Sequence, residues 1–168
     1  MVSWRAFVTV AAGALLGGCH CRLLPPTGAW HFEDDCVDAT CGFRATQGTI
    51  ARANTFATGE HGLAIGARSI ATRTAFAPLR GPGLSFIGRC DTEGEVVLRL
   101  VLRTPTGDRP VNTTFSVTRD WKDFSGSIGS TTGSDGIRRI EIENRSGGEC
   151  RLDAIAVGVP ASMCSATS

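Results

Sequence analysis

The stretch "GEVVLRLVLRT", residues 94–104, puts Leu98, Leu100 and Leu102 at every second position, with Arg99, Val101 and Arg103 between them. A period of two matches the pleat of a β-strand, whose side chains point alternately to opposite faces. "GIRRIEIEN" repeats the device, with Ile140 and Ile142 on one face and Arg139, Glu141 and Glu143 on the other. Beyond the N-terminal segment, no stretch carries an apolar stripe at helical spacing. Such a chain must bury one face of many short strands, which takes a second sheet or a closed barrel. Further strand signals are "WHFED", "QGTIARANTF", "GLAIGARSIATRTAF", "GLSFIGRC", "NTTFSVTRDW", "KDFSGSIGS" and "CRLDAIAVGV". Turns such as Thr-Gly-Asp, Gly-Ser-Asp-Gly and Ser-Gly-Gly separate them, and the chain has 21 glycines to build them. The pattern predicts an all-β antiparallel sandwich or barrel of about 8–9 strands.

The N-terminal segment obeys a different rule. One arginine precedes a weakly apolar run over residues 6–16. The run is too short to cross a bilayer, which needs about 20 apolar residues, and it fits the apolar region of a signal peptide. A buried N-terminal helix is the alternative, but no amphipathic period or capping residue accompanies the run. It ends at Leu16-Gly17-Gly18-Cys19, which resembles the bacterial lipobox: an aliphatic residue, two small residues and a cysteine. The resemblance implies cleavage after Gly18, a diacylglycerol on the Cys19 sulfur and a further acyl chain, such as palmitate, on its amine. The chain is then held in the bacterial cell envelope, with the outer membrane the expected site. Two or three acyl chains give a stable anchor where one gives marginal binding. Plain secretion, leaving Cys19 for a disulfide, is the alternative.

Parity bears on that choice. The cysteines are Cys19, Cys21, Cys36, Cys41, Cys90, Cys150 and Cys164. An odd thiol is awkward in an oxidising compartment, and lipidating Cys19 leaves an even set for disulfides. Sequence does not fix their connectivity. Cys36 and Cys41 enclose only "VDAT" and could close a local loop. Cys90 and Cys150 end strand segments and could staple two of them, and Cys21 and Cys164 could tie the termini. Zinc is a poor rival, because Cys21, Cys36 and Cys41 lack paired CxxC spacing.

The expected organisation is a signal peptide over 1–18, a tether over 19–28 kept extended by Pro25 and Pro26, a sandwich over 29–160 and a tail over 161–168. From Trp30 to Val159 the order of pieces resembles the galactose-binding-like jelly roll of many carbohydrate-binding modules. The matching pieces are the opening "FED", a Gly-rich segment, "TGEHGLAI", the Trp-x-x-Phe turn in "VTRDWKDFSGSI" and the closing "CRLDAIAV". The resemblance implies a jelly-roll β-sandwich with glycan as the default ligand. It also implies a structural Ca²⁺ held by Glu33 and Asp153, with carbonyls from residues 59–62 or from Asp35. By strict alternation Asp153 shares a face with Ile155, Val157 and Val159 and points inward. A buried carboxylate must be paired, hydrogen-bonded or metal-bound; an arginine or backbone N–H groups could satisfy it instead. The chain departs from the family in having no tyrosine, although the family's ligand sites rely on exposed aromatics.

Trp30 and Trp121 are therefore the candidate sugar platforms, and packing of each against the core or a sheet edge is the alternative. Arg99 and Arg103 share a strand face. With Arg89, Arg138 and Arg139 they could hold sulfated or uronic sugars through forked hydrogen bonds, unless cross-strand acids such as Glu141 and Glu143 neutralise them. A net charge of +1 offers nucleic acid no strong field. No nucleophile elbow, HExxH or P-loop is present, and His20, His31 and His61 stand alone. Glu141 and Glu143 have the carboxylate pairing a glycosidase uses, yet a solvated strand face gives the same pattern. The expectation is a non-catalytic, lipid-anchored envelope module that binds glycan. One alternative is an interaction module for other envelope proteins, without a sugar site. The other is a glycosidase-like enzyme.

Overall fold

The structure, a computed structural model, describes residues 20–22, 28–32, 36–55, 57–159 and 163–165, with the backbone alone for 20–22, 75–77 and 163–165. The expected signal peptide, Cys19, Pro25, Pro26, Glu33 and Asp35 lie outside the described residues. No described helix is long and apolar enough to cross a membrane. The strands are β1 (His20–Arg22), β2 (Gly28–Trp30), β3 (Arg44–Gln47), β4 (Ile50–Ala53), β5 (Gly62–Ile65), β6 (Ile70–Ala77), β7 (Gly83–Cys90), β8 (Gly94–Thr104), β9 (Gly107–Val117), β10 (Lys122–Ser127), β11 (Gly136–Asn144), β12 (Cys150–Val159) and β13 (Met163–Ser165). The chain forms two compact units, Leu24–Ala161 and a terminal unit made of Met1–Leu23 with Ser162–Ser168. In the terminal unit β1 pairs antiparallel with β13, and Cys21 stands opposite Cys164.

The larger unit is a jelly-roll sandwich. One sheet runs β10-β7-β12-β5-β4, with β2 also paired to β12; the other runs β3-β6-β11-β8-β9. Its inward residues include Leu98, Leu100 and Leu102 from β8, Ile140 and Ile142 from β11, Leu84 and Phe86 from β7, and Leu152, Ile155 and Val157 from β12, all nearly inaccessible to water. Each such side chain contributes about 1.5–3 kcal/mol on burial. Cys90 is joined to Cys150 across directly opposed positions of β7 and β12, and Cys36 is joined to Cys41.

The sandwich has more strands than the sequence pattern suggests, because the chain switches sheets within stretches that read as continuous. β3 lies in the five-stranded sheet and β4 in the six-stranded one; β5 and β6 make the reverse switch. Glycines stand at both corners. Gly48 has φ +69°, and a Cβ there would overlap the Ser69 hydroxyl; a Cβ on Gly66 would overlap the Thr49 hydroxyl. Buried Asn144, at the end of β11, fastens this end of the sandwich. Its Nδ2 donates to the carbonyls of Ile65, Gly66 and Gly148 at 2.8–3.0 Å, and its Oδ1 accepts from Ser146 N at 2.8 Å and Ser146 Oγ at 2.7 Å. One side chain thus bridges both sheets with every polar atom satisfied, as burial demands.

Strict alternation fails in β12. Asp153 stands opposite Ile87 and Leu152 opposite Gly88, but the register shifts before Ala156 meets Ser85. Ala154 sits in this bulge at φ +48°. The extra residue lets Leu152 and Ile155 both face inward, so Asp153 falls on the opposite face from Ile155 and Val157. This corrects the inward placement expected from the sequence. Asp153 is nonetheless fully buried. The bulge conformation favours glycine. Ala154→Gly is therefore expected to leave the denaturation midpoint unchanged or raise stability by up to about 1 kcal/mol. Ala154→Val should lower it by about 1–3 kcal/mol. Destabilisation by glycine of the size seen in ordinary strands would contradict the assigned strain.

Candidate functional site

The sandwich presents chemistry in three places. The first is the outer face of the five-stranded sheet. Arg99 and Glu141 are directly opposed in β8 and β11, and Arg99 Nη1 lies 3.1 Å from Glu141 Oε2. Arg139 Nε lies 2.8 Å from the other oxygen, Oε1, so two guanidinium groups hold one carboxylate. Glu143 is bound by Arg145 at 2.8 Å, and this hydrogen bond holds its carboxyl below the usual carboxylate range. Asp108 accepts both its hydrogen bonds from Arg138 Nη1, at 3.0 and 3.1 Å. Arg103 is exposed and makes no ion pair among the described residues. Asn112 stands opposite Arg99, and Thr114 opposite Val97. Besides Val97 and Val101, the face carries polar groups, and it presents no aromatic ring on β8, β9 or β11.

The second place lies where the sheets meet at an edge. Trp30 pairs with Ile155, so it shares the inward side of β12. Its ring packs edge-on against buried Phe43 with centroids 5.7 Å apart. The Arg73 guanidinium covers the Trp30 ring face at 4.9 Å and reaches Phe43 at 5.9 Å. Trp30 and Arg73 line a cavity of about 300 Å³ with Val37, Asp38, Gly42 and the Cys36–Cys41 disulfide. Asp38 organises the loop. Its Oδ1 accepts from Gly42 N at 2.8 Å, Thr40 N at 3.0 Å and Thr40 Oγ1 at 3.1 Å, while Oδ2 meets Arg44 Nη2 at 2.7 Å. The Gly42 N–H and then Arg44 hold the Asp38 carboxyl far below the usual range. Trp121 is half-buried at the start of β10 and makes no ring contact among the described residues, whereas Phe124 stacks on Phe86 at 4.9 Å.

The third place is Asp153. Oδ2 accepts from Thr58 N and Thr58 Oγ1, each at 2.8 Å, and Oδ1 accepts from Ala154 N at 2.6 Å. All three donors are neutral, and no described cation pairs with this buried carboxylate. Oδ2 is thus saturated, and Oδ1 retains room for one more partner. That donor set fits a cation bound through a single Asp153 oxygen. No group of three or more His, Cys, Asp or Glu that could hold a metal occurs among the described residues.

The expected Arg99 and Arg103 thus share a face with Glu141, while Trp30 lies elsewhere, at the sheet edge under Arg73. Sequence reading passed over Arg73. The signal was available in "SIATRTAF": Arg73 keeps the phase of Ala71 and Ala75, and the register sets it opposite inward Ile140. A charge on the apolar phase of a strand marks a place where the core is open. Thr58 and Asn144 left no such trace, since each acts through contacts made only in the folded chain.

No protein-family model matches the sequence, and no curated protein matches it. Solved structures resemble the fold at low identity. The CBM22-1 xylan-binding domain from Paenibacillus barcinonensis Xyn10C overlays 88% of this chain and 100% of its own, with TM-score 0.60 and 14% identity. A family 11 carbohydrate-binding module from Clostridium thermocellum, solved with a β-1,3-1,4-mixed-linked tetrasaccharide, overlays 80% of this chain and 98% of its own, with TM-score 0.55 and 13% identity. An exo-β-agarase matches over 25% of its length and 80% of this chain, with TM-score 0.59 and 10% identity. The domain therefore has the jelly-roll fold of carbohydrate-binding modules, a fold that also occurs inside a larger enzyme.

Proposed function

We propose that the sandwich is a non-catalytic glycan-binding module of the bacterial envelope. The observation that carries this reading is the near-complete overlay on a xylan-binding domain and on a module solved with a β-1,3-1,4-mixed-linked tetrasaccharide, although fold by itself does not fix function. The outer sheet face supports it: Arg99, Arg139 and Glu141 are mutually fixed, which lowers their ordering cost, Arg103 is open, and such groups can hydrogen-bond sugar hydroxyls and acidic substituents. Catalysis is disfavoured by a neighbouring ion pair, Glu143 with Arg145. A glycosidase acid needs a raised pKa, whereas Arg145 lowers that of Glu143. A second reading, a contact surface for envelope proteins, draws on the arginine that covers the face of Trp30.

A broad panel of immobilised polysaccharides, probed with the full chain in detergent, tests the reading. Binding to at least one member is expected, and the double variant Arg99→Ala, Arg103→Ala should weaken it about tenfold or more. No binding across the panel would contradict glycan recognition; undiminished binding by the variant would remove the sheet face from it.

Anchoring at Cys19 and a third disulfide complete the proposal. Cys21 and Cys164 occupy opposed positions, a placement suited to a bridge. Non-reducing peptide mass spectrometry of the chain from bacterial membranes should find a peptide beginning at acylated Cys19 and joined through Cys21 to Cys164. An unacylated Cys19, or free thiols at 21 and 164, would overturn the respective part.

Calcium is proposed as a structural ion at Asp153 with Glu33, pinning the closing strand to the opening segment. Adding Ca²⁺ after EDTA should raise the melting temperature by several degrees, and Asp153→Asn should abolish that rise while remaining folded by circular dichroism. A melting temperature indifferent to Ca²⁺ in the unaltered chain would exclude the ion.

A further inference from the structure

The cavity beside Trp30 holds a charge that no described residue pairs. Arg73 is half-buried, and burial pushes its guanidinium pKa down, with Asp38 opposing the shift. It lies over the Trp30 and Phe43 rings, and its nitrogens make no hydrogen bond or ion pair among the described residues. A guanidinium carries five N–H donors in a fixed fork. Stacking on aromatic rings satisfies its faces and leaves its edge, where those donors lie, without acceptors.

Asp38 is the described acid whose charge acts on Arg73, but it is committed. Four donors, from Gly42, Thr40 and Arg44, already converge on its two oxygens. Among the described residues, Arg44, Asp38 and Arg73 together therefore leave one positive charge at the cavity. The wall is also built to keep Arg73 in place. The Cys36–Cys41 disulfide closes the loop, Cys41 and Gly42 both take left-handed conformations, at φ +50° and +80°, and a Cβ on Gly42 would lie 2.9 Å from Arg73 Nη1. Glycine at 42 is what gives the guanidinium its room.

We propose that this cavity binds the carboxylate of a uronic-acid sugar, with Arg73 as the forked donor and Trp30, Val37 and the disulfide as the apolar wall. The inference rests on the glycan reading and names a substrate class for it, at a site distinct from the sheet face. A volume of about 300 Å³ is at the lower limit for ligand sites and suits one sugar ring rather than a chain. A planar carboxylate accepts two parallel hydrogen bonds from the guanidinium edge. Val37, fully exposed at the mouth, offers the ring's C–H surface a partner. A peptide carboxylate shares the charged contact and lacks the ring.

Isothermal titration of the full chain in detergent with glucuronate, galacturonate, their methyl esters, glucose and N-acetylglycine separates these cases. One of the two uronates should bind at least about tenfold more tightly than its ester, than glucose and than N-acetylglycine, the loss expected when a charged hydrogen-bonded pair is removed. Arg73→Gln should remove the preference, and Arg73→Lys, which keeps the charge and loses the fork, should fall between. The ester comparison needs no variant, so it stands even if Arg73→Gln misfolds. Equal binding of acid and ester, or a preference unchanged in a folded Arg73→Gln, would overturn the proposal. So would N-acetylglycine binding as tightly as the uronates. If the polysaccharide panel shows binding while both uronates fail here, the glycan reading survives and this site does not.

Discussion

The bulge at Asp153 and Ala154 governs the arrangement of the sandwich edge. One residue too many in β12 turns the phase of the closing strand, so that Leu152 and Ile155 both reach the core. Because Trp30 is opposed to Ile155, the same turn of phase sends the tryptophan inward toward Phe43 and beneath Arg73. Without the bulge, Asp153 would compete with Ile155 for the apolar layer. With it, the carboxylate is buried on the other face and capped by Thr58 and Ala154. A left-handed alanine is the local strain that accompanies this solution.

Charge is handled in two ways in the same molecule. On the outer face of the five-stranded sheet, arginines and acids alternate across strands and settle into pairs, as with Arg99, Arg139 and Glu141. Exposed pairs of this kind contribute about 0–1 kcal/mol each, so their value lies in orientation more than stability. At the sheet edge the protein does the opposite and sets Arg73 over two rings, with its donors unmet among the described residues. Groups left unsatisfied at a cavity are what a ligand can repay, and this contrast locates the proposed acidic-sugar site.

Much of the sandwich was legible because two-residue periodicity depends only on which side chains avoid water. β8 and β11 announce themselves in "EVVLRLVLR" and "RRIEIEN", and the ion pairing of Arg99 with Glu141 follows from alternation across neighbouring strands. The sheet switches near Gly48 and Gly66 were not legible, since a glycine corner packed on Ser69 or Thr49 looks the same as any turn until distant strands are brought together. The phase of β12 was misread for a related reason: a bulge inserts a residue without altering the hydrophobic count. Arg73 had a trace in its phase with Ala71 and Ala75, but its meaning depends on Trp30, far away in sequence and adjacent only through β12.

The central claim, that this jelly roll recognises an acidic sugar at its edge, is tested most directly by amide and indole NMR of the ¹⁵N-labelled full chain titrated with glucuronate and with galacturonate. The account predicts saturable shifts at the Trp30 indole N–H and the Gly42 amide for at least one of the two, with the Thr114 amide on the far sheet face unmoved. Signals at Trp30 and Gly42 that stay fixed with both sugars through millimolar concentrations would contradict it.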